Sequence, residues 1–238
     1  GVMLVLGALF GVGLAVAGRF FRVTTDPRVE ALLAALPGVN CGACGFAGCE
    51  GYARAVAEKK AEPTLCMPGG RKTSAALAEI MGVALGAEAT PPRAVVHCQG
   101  GTDRCGARAD YRGLPDCRAA QMMQGGHKSC EFGCLGYGTC ADVCPFGAIL
   151  MGPDRIPVIN RDKCTGCGLC VKACPRRIIE LLPENIPVYL ACSSQDKGPA
   201  VKKICKVGCI SCWLCVKLSP PGAVEKNGNL PRLTYPAG

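Results

Sequence analysis

Twenty cysteines in 238 residues constrain this chain more than any other feature, because their spacing decides between a disulfide framework and thiolate-bound metal. Cys164-Thr-Gly-Cys167-Gly-Leu-Cys170-Val-Lys-Ala-Cys174-Pro175 is a C-x2-C-x2-C-x3-C-P run. In such a run three close thiolates grip one 4Fe-4S cube, and the fourth, before proline, serves a neighbouring cube. Zinc needs four ligands and has no use for that overlap. The partner run is expected upstream, where Cys130, Cys134, Cys140 and Cys144-Pro145 stand, with Tyr137 where a second cysteine would fall. The spacing predicts one cluster on Cys130, Cys134, Cys140 and Cys174, and a second on Cys144, Cys164, Cys167 and Cys170.

Nearer the N-terminus, Cys41-x2-Cys44-x4-Cys49-x16-Cys66 forms a separate group of four. Gly42, Gly45 and Gly48 allow the backbone to approach a bulky inorganic core. The long third interval and the lack of a following proline rule out a ferredoxin repeat, so an independent cluster domain is expected, with zinc as the rival. An internal repeat adds more. Cys130-Glu-Phe-Gly-Cys134 through Cys144-Pro-Phe-Gly-Ala148 recurs as Cys205-Lys-Val-Gly-Cys209 through Ser219-Pro-Pro-Gly-Ala223. Cys212 replaces Tyr137, and Ser219 replaces the cysteine before proline. Cys205, Cys209, Cys212 and Cys215 are therefore expected to hold a further cluster. Cys98, Cys105, Cys117 and Cys192 either form one more site or stay as free buried thiols. At least three 4Fe-4S clusters follow, and four or five if the later groups are filled.

The formal charge of +9 counts every cysteine as neutral. Each cluster on four thiolates contributes about two negative charges, so four or five bring the total to about +1 or −1. Basicity thus gives no reason to expect nucleic acid. Only two histidines, His97 and His127, leave little scope for imidazole-rich zinc, copper or haem sites, and no C-x2-C is followed by His. No catalytic constellation, phosphate loop or credible dinucleotide fingerprint is present. With 6 Phe, 5 Tyr and 1 Trp against 32 Gly and 18 Pro, the chain cannot fill two ordinary cores, and inorganic clusters must supply part of the interior.

Residues 1–18 carry no charge and run into Arg19-Phe-Phe-Arg22. At 1.5 Å per residue they cover nearly the ~30 Å hydrocarbon layer, and the basic flank predicts that the remainder of the chain is cytoplasmic. A cleaved signal peptide would carry its basic residues first. The fold class expected is α+β, with an N-terminal transmembrane helix, a small helical 4Fe-4S domain and a ferredoxin-like polycluster domain. The boundaries are an anchor at 1–22, the N-terminal cluster domain at 23–86, a linker at 87–93 and the polyferredoxin domain at 94–238. Helices are expected from Asp26-Pro27 to Leu36, with Val29, Leu32, Leu33 and Leu36 inward, and near 50–60 and 74–85. Short strands are expected at 156–159 and 187–190.

The apolar span, Asp26-Pro-Arg-Val-Glu30, Leu36-Pro-Gly-Val-Asn-Cys-Gly-Ala-Cys-Gly-Phe-Ala-Gly-Cys49, Gly133-Cys-Leu-Gly-Tyr-Gly-Thr-Cys140 and the ferredoxin run follow one another in an order that resembles the B-subunit family of Rnf complexes. These are membrane-bound ferredoxin:NAD oxidoreductases. The resemblance implies an electron-transfer subunit of an ion-translocating enzyme, without substrate chemistry of its own. Its partners would be reduced ferredoxin, other Rnf-type membrane and cytosolic subunits, and the membrane, with no nucleic acid. Electrons would pass along the clusters toward NAD, coupled to Na⁺ or H⁺ movement, on the cytoplasmic face of the inner membrane. Tyr137 and Ser219 depart from the regular pattern. The alternatives are a soluble polyferredoxin or hydrogenase-type carrier, which needs no anchor, and a structural zinc protein.

Lys59, Lys60, Arg176, Arg177, Lys202, Lys203, Lys206 and Lys217 are candidates for a face that docks an acidic ferredoxin. Counting from Cys209 the 30 residues that separate Cys134 from Cys164 lands one residue past Gly238, so another C-x2-C-x2-C run is expected there, supplying the fourth ligand to Cys209, Cys212 and Cys215; the alternative is that the chain ends at Gly238 and Cys205 completes that cluster.

Overall fold

The computed structural model describes residues 1–21, 26–85, 92–186 and 188–235, without the side chain of Leu4. Helix α1 (Val2–Phe20) has one charge, Arg19, in its last turn, and its described side chains are almost all exposed. Among the described residues, which exclude the Leu4 side chain, no helix is long and apolar enough to cross a membrane. The expected flank residue Arg22 lies outside the described residues.

Helix α2 (Pro27–Ala35) starts where Asp26 accepts the Arg28 N–H on its side chain and Pro27 fills N1, where its missing donor costs nothing. Val29, Leu32 and Leu36 are buried, whereas Leu33, expected to face inward, is exposed. Helix α3 (Gly48–Ala57) begins before Glu50, and α4 (Gly70–Met81) begins before Ser74. Left-handed Gly82 ends α4 short of the expected Leu85. Helix α2 packs against both α3 and α4. Leu32, Tyr52, Val56 and Leu77 form the fully buried centre of this three-helix unit, with Cys66 in the same cluster.

Strand β1 (Pro92–Val96) opens the second unit. The expected linker is thus shorter at its C-terminal end, because Pro92 and Arg93 already pair with Pro183 and Leu182; residues 87–91 lie outside the described residues. There follow α5 (Cys117–Met122), α6 (Thr139–Asp142), β2 (Ile149–Met151), β3 (Pro157–Ile159), α7 (Leu169–Ala173) and β4 (Ile179–Pro183). β1 pairs antiparallel with β4, and β2 with β3. Residues 188–190, expected as a strand, are irregular, and the Leu190 carbonyl meets His97 Nδ1 at 2.5 Å; Pro187 lies outside the described residues.

The repeat closes with α8 (Gly198–Ile204), α9 (Leu214–Leu218) and the antiparallel hairpin of β5 (Val224–Asn227) and β6 (Leu230–Leu233). That hairpin follows Ser219-Pro220 as the β2–β3 hairpin follows Cys144-Pro145. Helices α6, α7 and α9 are preceded by left-handed Gly138 (φ 80), Gly168 (φ 78) and Trp213 (φ 61). Gly136, Gly166 and Ser211, two residues earlier, are also left-handed. One loop shape therefore occurs three times, and the third copy holds it without glycine.

Candidate iron–sulfur centres

The thiols fall into five groups, A to E, three of which line hollows. At site A, Cys41, Cys44, Cys49 and Cys66 line one hollow with Leu36 and Tyr52. Asn40 takes a left-handed conformation, and its Oδ1 accepts the Cys49 N–H at 2.8 Å. Gly48 makes room for it, since a Cβ there would stand 2.9 Å from that oxygen. Burial pushes the Cys66 thiol up, and it pushes the Tyr52 phenol to about 12 while its hydroxyl donates to the Glu62 carbonyl at 2.7 Å.

Site C is the group of Cys144, Cys164, Cys167 and Cys170. Burial first, and then the charges of Cys167, Cys164 and Cys144, push the Cys170 thiol to about 12. Burial first raises the Cys167 thiol, and Cys41 is among the charges that add to this.

Site B differs from expectation. The hollow beside Cys134, Cys140 and Cys174 is lined by Cys117, while Cys130 lines the next hollow. The reason is local. Asp116 caps α5 by accepting the Arg118 and Ala119 N–H groups, and it also accepts the Thr139 hydroxyl at 2.8 Å. Thr139 Oγ1 in turn accepts the buried Cys117 N–H at 2.8 Å. This network ties the first residue of α5 to the first residue of α6 and turns the Cys117 thiol toward Cys140. Burial pushes both Cys134 and Cys140 to about 12. Tyr137 packs against Tyr111 and His127, its hydroxyl 3.2 Å from His127 Nδ1, and so belongs to the core.

Site D is a hollow lined by Cys98, Cys105, Cys130, Cys192 and Cys205. Spacing places Cys205 beside Cys209; instead it forms an antiparallel bridge with Cys105, which draws it away. Glycines cradle this hollow. A Cβ at Gly100 would stand 3.3 Å from Cys205 Sγ, one at Gly133 3.5 Å from Cys130 Sγ, and one at Gly208 3.6 Å from Cys205 Sγ. Site E comprises Cys209, Cys212 and Cys215 on the third loop, the last two exposed. Cys192 stands at the boundary, because its sulfur accepts the Cys209 N–H at 3.3 Å. In the first copy Cys98 Sγ accepts the Cys134 N–H at the same distance.

Among the described residues, no three His, Cys, Asp or Glu side chains converge so as to hold a single metal ion. Soft thiolates around glycine-lined hollows fit iron–sulfur clusters, whose irons take one cysteine each. Asn40, Thr139, Asp116 and Lys128 were missed from sequence; for Asp116 the signal was a polar residue directly before a helix, and for the others there was none. Arg176, expected on a docking surface, is half-buried and donates to Gln121 Oε1 and to the Cys130 carbonyl, each at 2.8 Å.

Two family models match, "Putative Fe-S cluster" over residues 36–68 and "4Fe-4S binding domain" over residues 157–180. The first spans site A and the second the Cys164–Cys174 run. The B subunit of an ion-translocating oxidoreductase complex from Methanosarcina acetivorans is 43% identical over 92% of this chain and 83% of its own length. The B subunit of the Na(+)-translocating ferredoxin:NAD(+) oxidoreductase complex of Acetobacterium woodii is 44% identical over 99% of this chain and 70% of its own. Its proton-translocating counterpart from Clostridium ljungdahlii is 43% identical over 96% and 81%.

Proposed function

Because the chain belongs to the family of B subunits of ion-translocating ferredoxin:NAD oxidoreductase complexes, we propose that it takes electrons from reduced ferredoxin and relays them to membrane partner subunits. One observation supports this reading: thiol groups distant in sequence neighbour one another in turn. Site E meets D at Cys192, which accepts the Cys209 N–H and also lines the site D hollow, and D meets B through the Cys134 N–H on Cys98. B and C exchange Cys174 and Cys144 across the paired motifs, and Cys167 of C lies within the field of Cys41 of A. Thiolate-held clusters supply one-electron transfer with little rearrangement, at potentials set by burial, charge and hydrogen bonds.

The ligand sets proposed are Cys41, Cys44, Cys49 and Cys66 for A, and Cys117, Cys134, Cys140 and Cys174 for B. For C they are Cys144, Cys164, Cys167 and Cys170; for D, Cys98, Cys105, Cys130 and Cys205; for E, Cys192, Cys209, Cys212 and Cys215. Five sets of four account for all 20 cysteines, which supports a count of five clusters. Exposed Cys212 and Cys215, with exposed Lys202, Lys203, Lys206 and Lys217 in the same repeat copy, favour electron entry from an acidic ferredoxin at E.

At the other end, α1 carries no charge from Val2 to Gly18, a run of about 25 Å at 1.5 Å per residue, short of the ~30 Å hydrocarbon layer. This uncharged run, next to the family's membrane-bound complexes, supports an anchor at 1–22 that holds site A beside the cytoplasmic face of the membrane. The domains proposed are then 23–86 around A and a unit from Pro92 onward around B to E. Anaerobically purified chain should contain iron and acid-labile sulfide in equal amounts, and its visible absorption should bleach on mixing with reduced ferredoxin. Zinc in place of iron, or no bleaching, refutes the reading.

A further inference from the structure

Lys128 is the one charged residue among those described that is almost fully buried, at 4% exposure. An antiparallel bridge to Ala107 holds it, flanked by the Arg108 N–H on the His127 carbonyl and the Ser129 N–H on the Gly106 carbonyl. Its Nζ donates to the Gly100 carbonyl. No ion pair among the described residues joins it to a carboxylate. A buried ammonium with no anion beside it is strongly unfavourable, so the anion has to come from what the neighbouring thiols hold.

Gly100 is pressed against those thiols, since a Cβ there would lie 3.2 Å from Cys105 Cβ and 3.8 Å from Cys98 Sγ. Cys98 Sγ in turn accepts the Cys134 N–H of site B at 3.3 Å, and Lys128 lies two residues before Cys130 of site D, so the same corner borders both sites. Arg176, which lines the site B hollow, likewise has only neutral partners: Gln121 Oε1 and the Cys130 and Gly125 carbonyls. Sites A and C differ. No lysine or arginine lines the site A hollow, and Arg93, which donates to the Cys164 carbonyl beside site C, is neutralised by Glu184 at 3.2 Å.

We propose that Lys128, seconded by Arg176, is the fixed internal counter-charge of sites D and B and raises the reduction potentials there above those at A and C. The proposal rests on the iron–sulfur reading of the sites. Each reduction adds one electron, given up by the neighbouring site and ultimately by reduced ferredoxin, with no proton moved. That extra negative charge is stabilised by a cation held in a low-dielectric interior. Electrons would then come to rest at D and B, and release toward C and A becomes the uphill step.

The experiment is a potentiometric titration of the full chain, followed by paramagnetic resonance, with iron and sulfide measured on the same samples. In Lys128→Met with unchanged iron and sulfide, the reduced-to-oxidised ratio of one resonance at fixed potential should fall by about tenfold or more, tenfold being 59 mV for a one-electron couple. Lys128→Arg should restore it, and exposed Lys72→Met should shift nothing. Unchanged midpoints in a fully loaded Lys128→Met protein overturn the proposal. Where Lys128→Met fails to fold, Arg176→Gln carries the test on the Cys134–Cys140 site, and an unmoved midpoint there overturns it equally. Absence of iron and sulfide from the unaltered chain would instead refute the iron–sulfur reading itself.

Discussion

Replacing Cys117 by alanine should destroy one cluster while leaving the apoprotein fold nearly intact. The thiol packs in a small cluster with Ala120 and Leu135, so losing one sulfur from it costs the apoprotein about 1 kcal/mol. The backbone around it stays held, because the Cys117 N–H bonds to Thr139 and the cap of α5 is made by Asp116. For the loaded protein the loss is far larger. One iron at site B is left without its cysteine, and iron content should drop by up to about four of about twenty atoms per chain. Three variants separate the possible groupings: Cys117→Ala and Cys174→Ala should lose the same resonance, and Cys130→Ala a different one, that of site D. The assay is iron and sulfide analysis with low-temperature paramagnetic resonance on each reconstituted variant. Loss of one common signal in Cys130→Ala and Cys174→Ala, with Cys117→Ala fully loaded, would refute the reasoning and restore the grouping expected from spacing.

Thr139→Val should cost about 1–3 kcal/mol in denaturant unfolding, because it strands the buried Cys117 N–H, and iron at site B should fall with it. Gly166→Ala should cost at least about 1 kcal/mol, since Gly166 sits at φ +70 with its open side against the Pro92 carbonyl; equal stability by thermal melting would contradict that. In the metal-free protein Cys134, Cys140 and Cys170 hold their protons up to about pH 12, against an ordinary value of 9.0. The unfolded chain ionises first, so apoprotein stability should be level below about pH 9 and fall between there and pH 12; a rise over that window in urea melts would reverse the sign. Deleting residues 1–22 should release the protein from membranes with its iron unchanged, and an intact protein that needs no detergent would argue against the anchor.

Ligands that lie close in sequence were legible, and those brought together by distant backbone were not. Cys164 and Cys167 sit on one loop with left-handed Gly166 and Gly168, and Cys170 follows in the first turn of α7, so spacing alone groups these three. Site A was legible for the same reason, its first three thiols falling within nine residues. Cys117 was not, because its place depends on Thr139 accepting a hydrogen bond from a residue 22 positions away. Nor was Lys128, an ordinary basic residue until a backbone bridge buries it. Ser211 and Trp213 hide the third loop, since its left-handed positions lack the glycines that advertise the other two.

The bridge between Cys105 and Cys205 sets an order of manufacture. Ribosomes add about 5–20 residues per second, so Cys98, Cys105 and Cys130 must wait roughly 4 to 15 s after Cys130 is made before their partner exists. Sites A, B and C have all their thiols by residue 174 and can be furnished while synthesis continues. Site D, which needs Cys205, cannot. A nascent chain arrested between residues 175 and 204 should therefore carry clusters at both motifs of the ferredoxin pair and an open gap beside them, and the cell's cluster-delivery machinery must return after residue 205 to close the circuit.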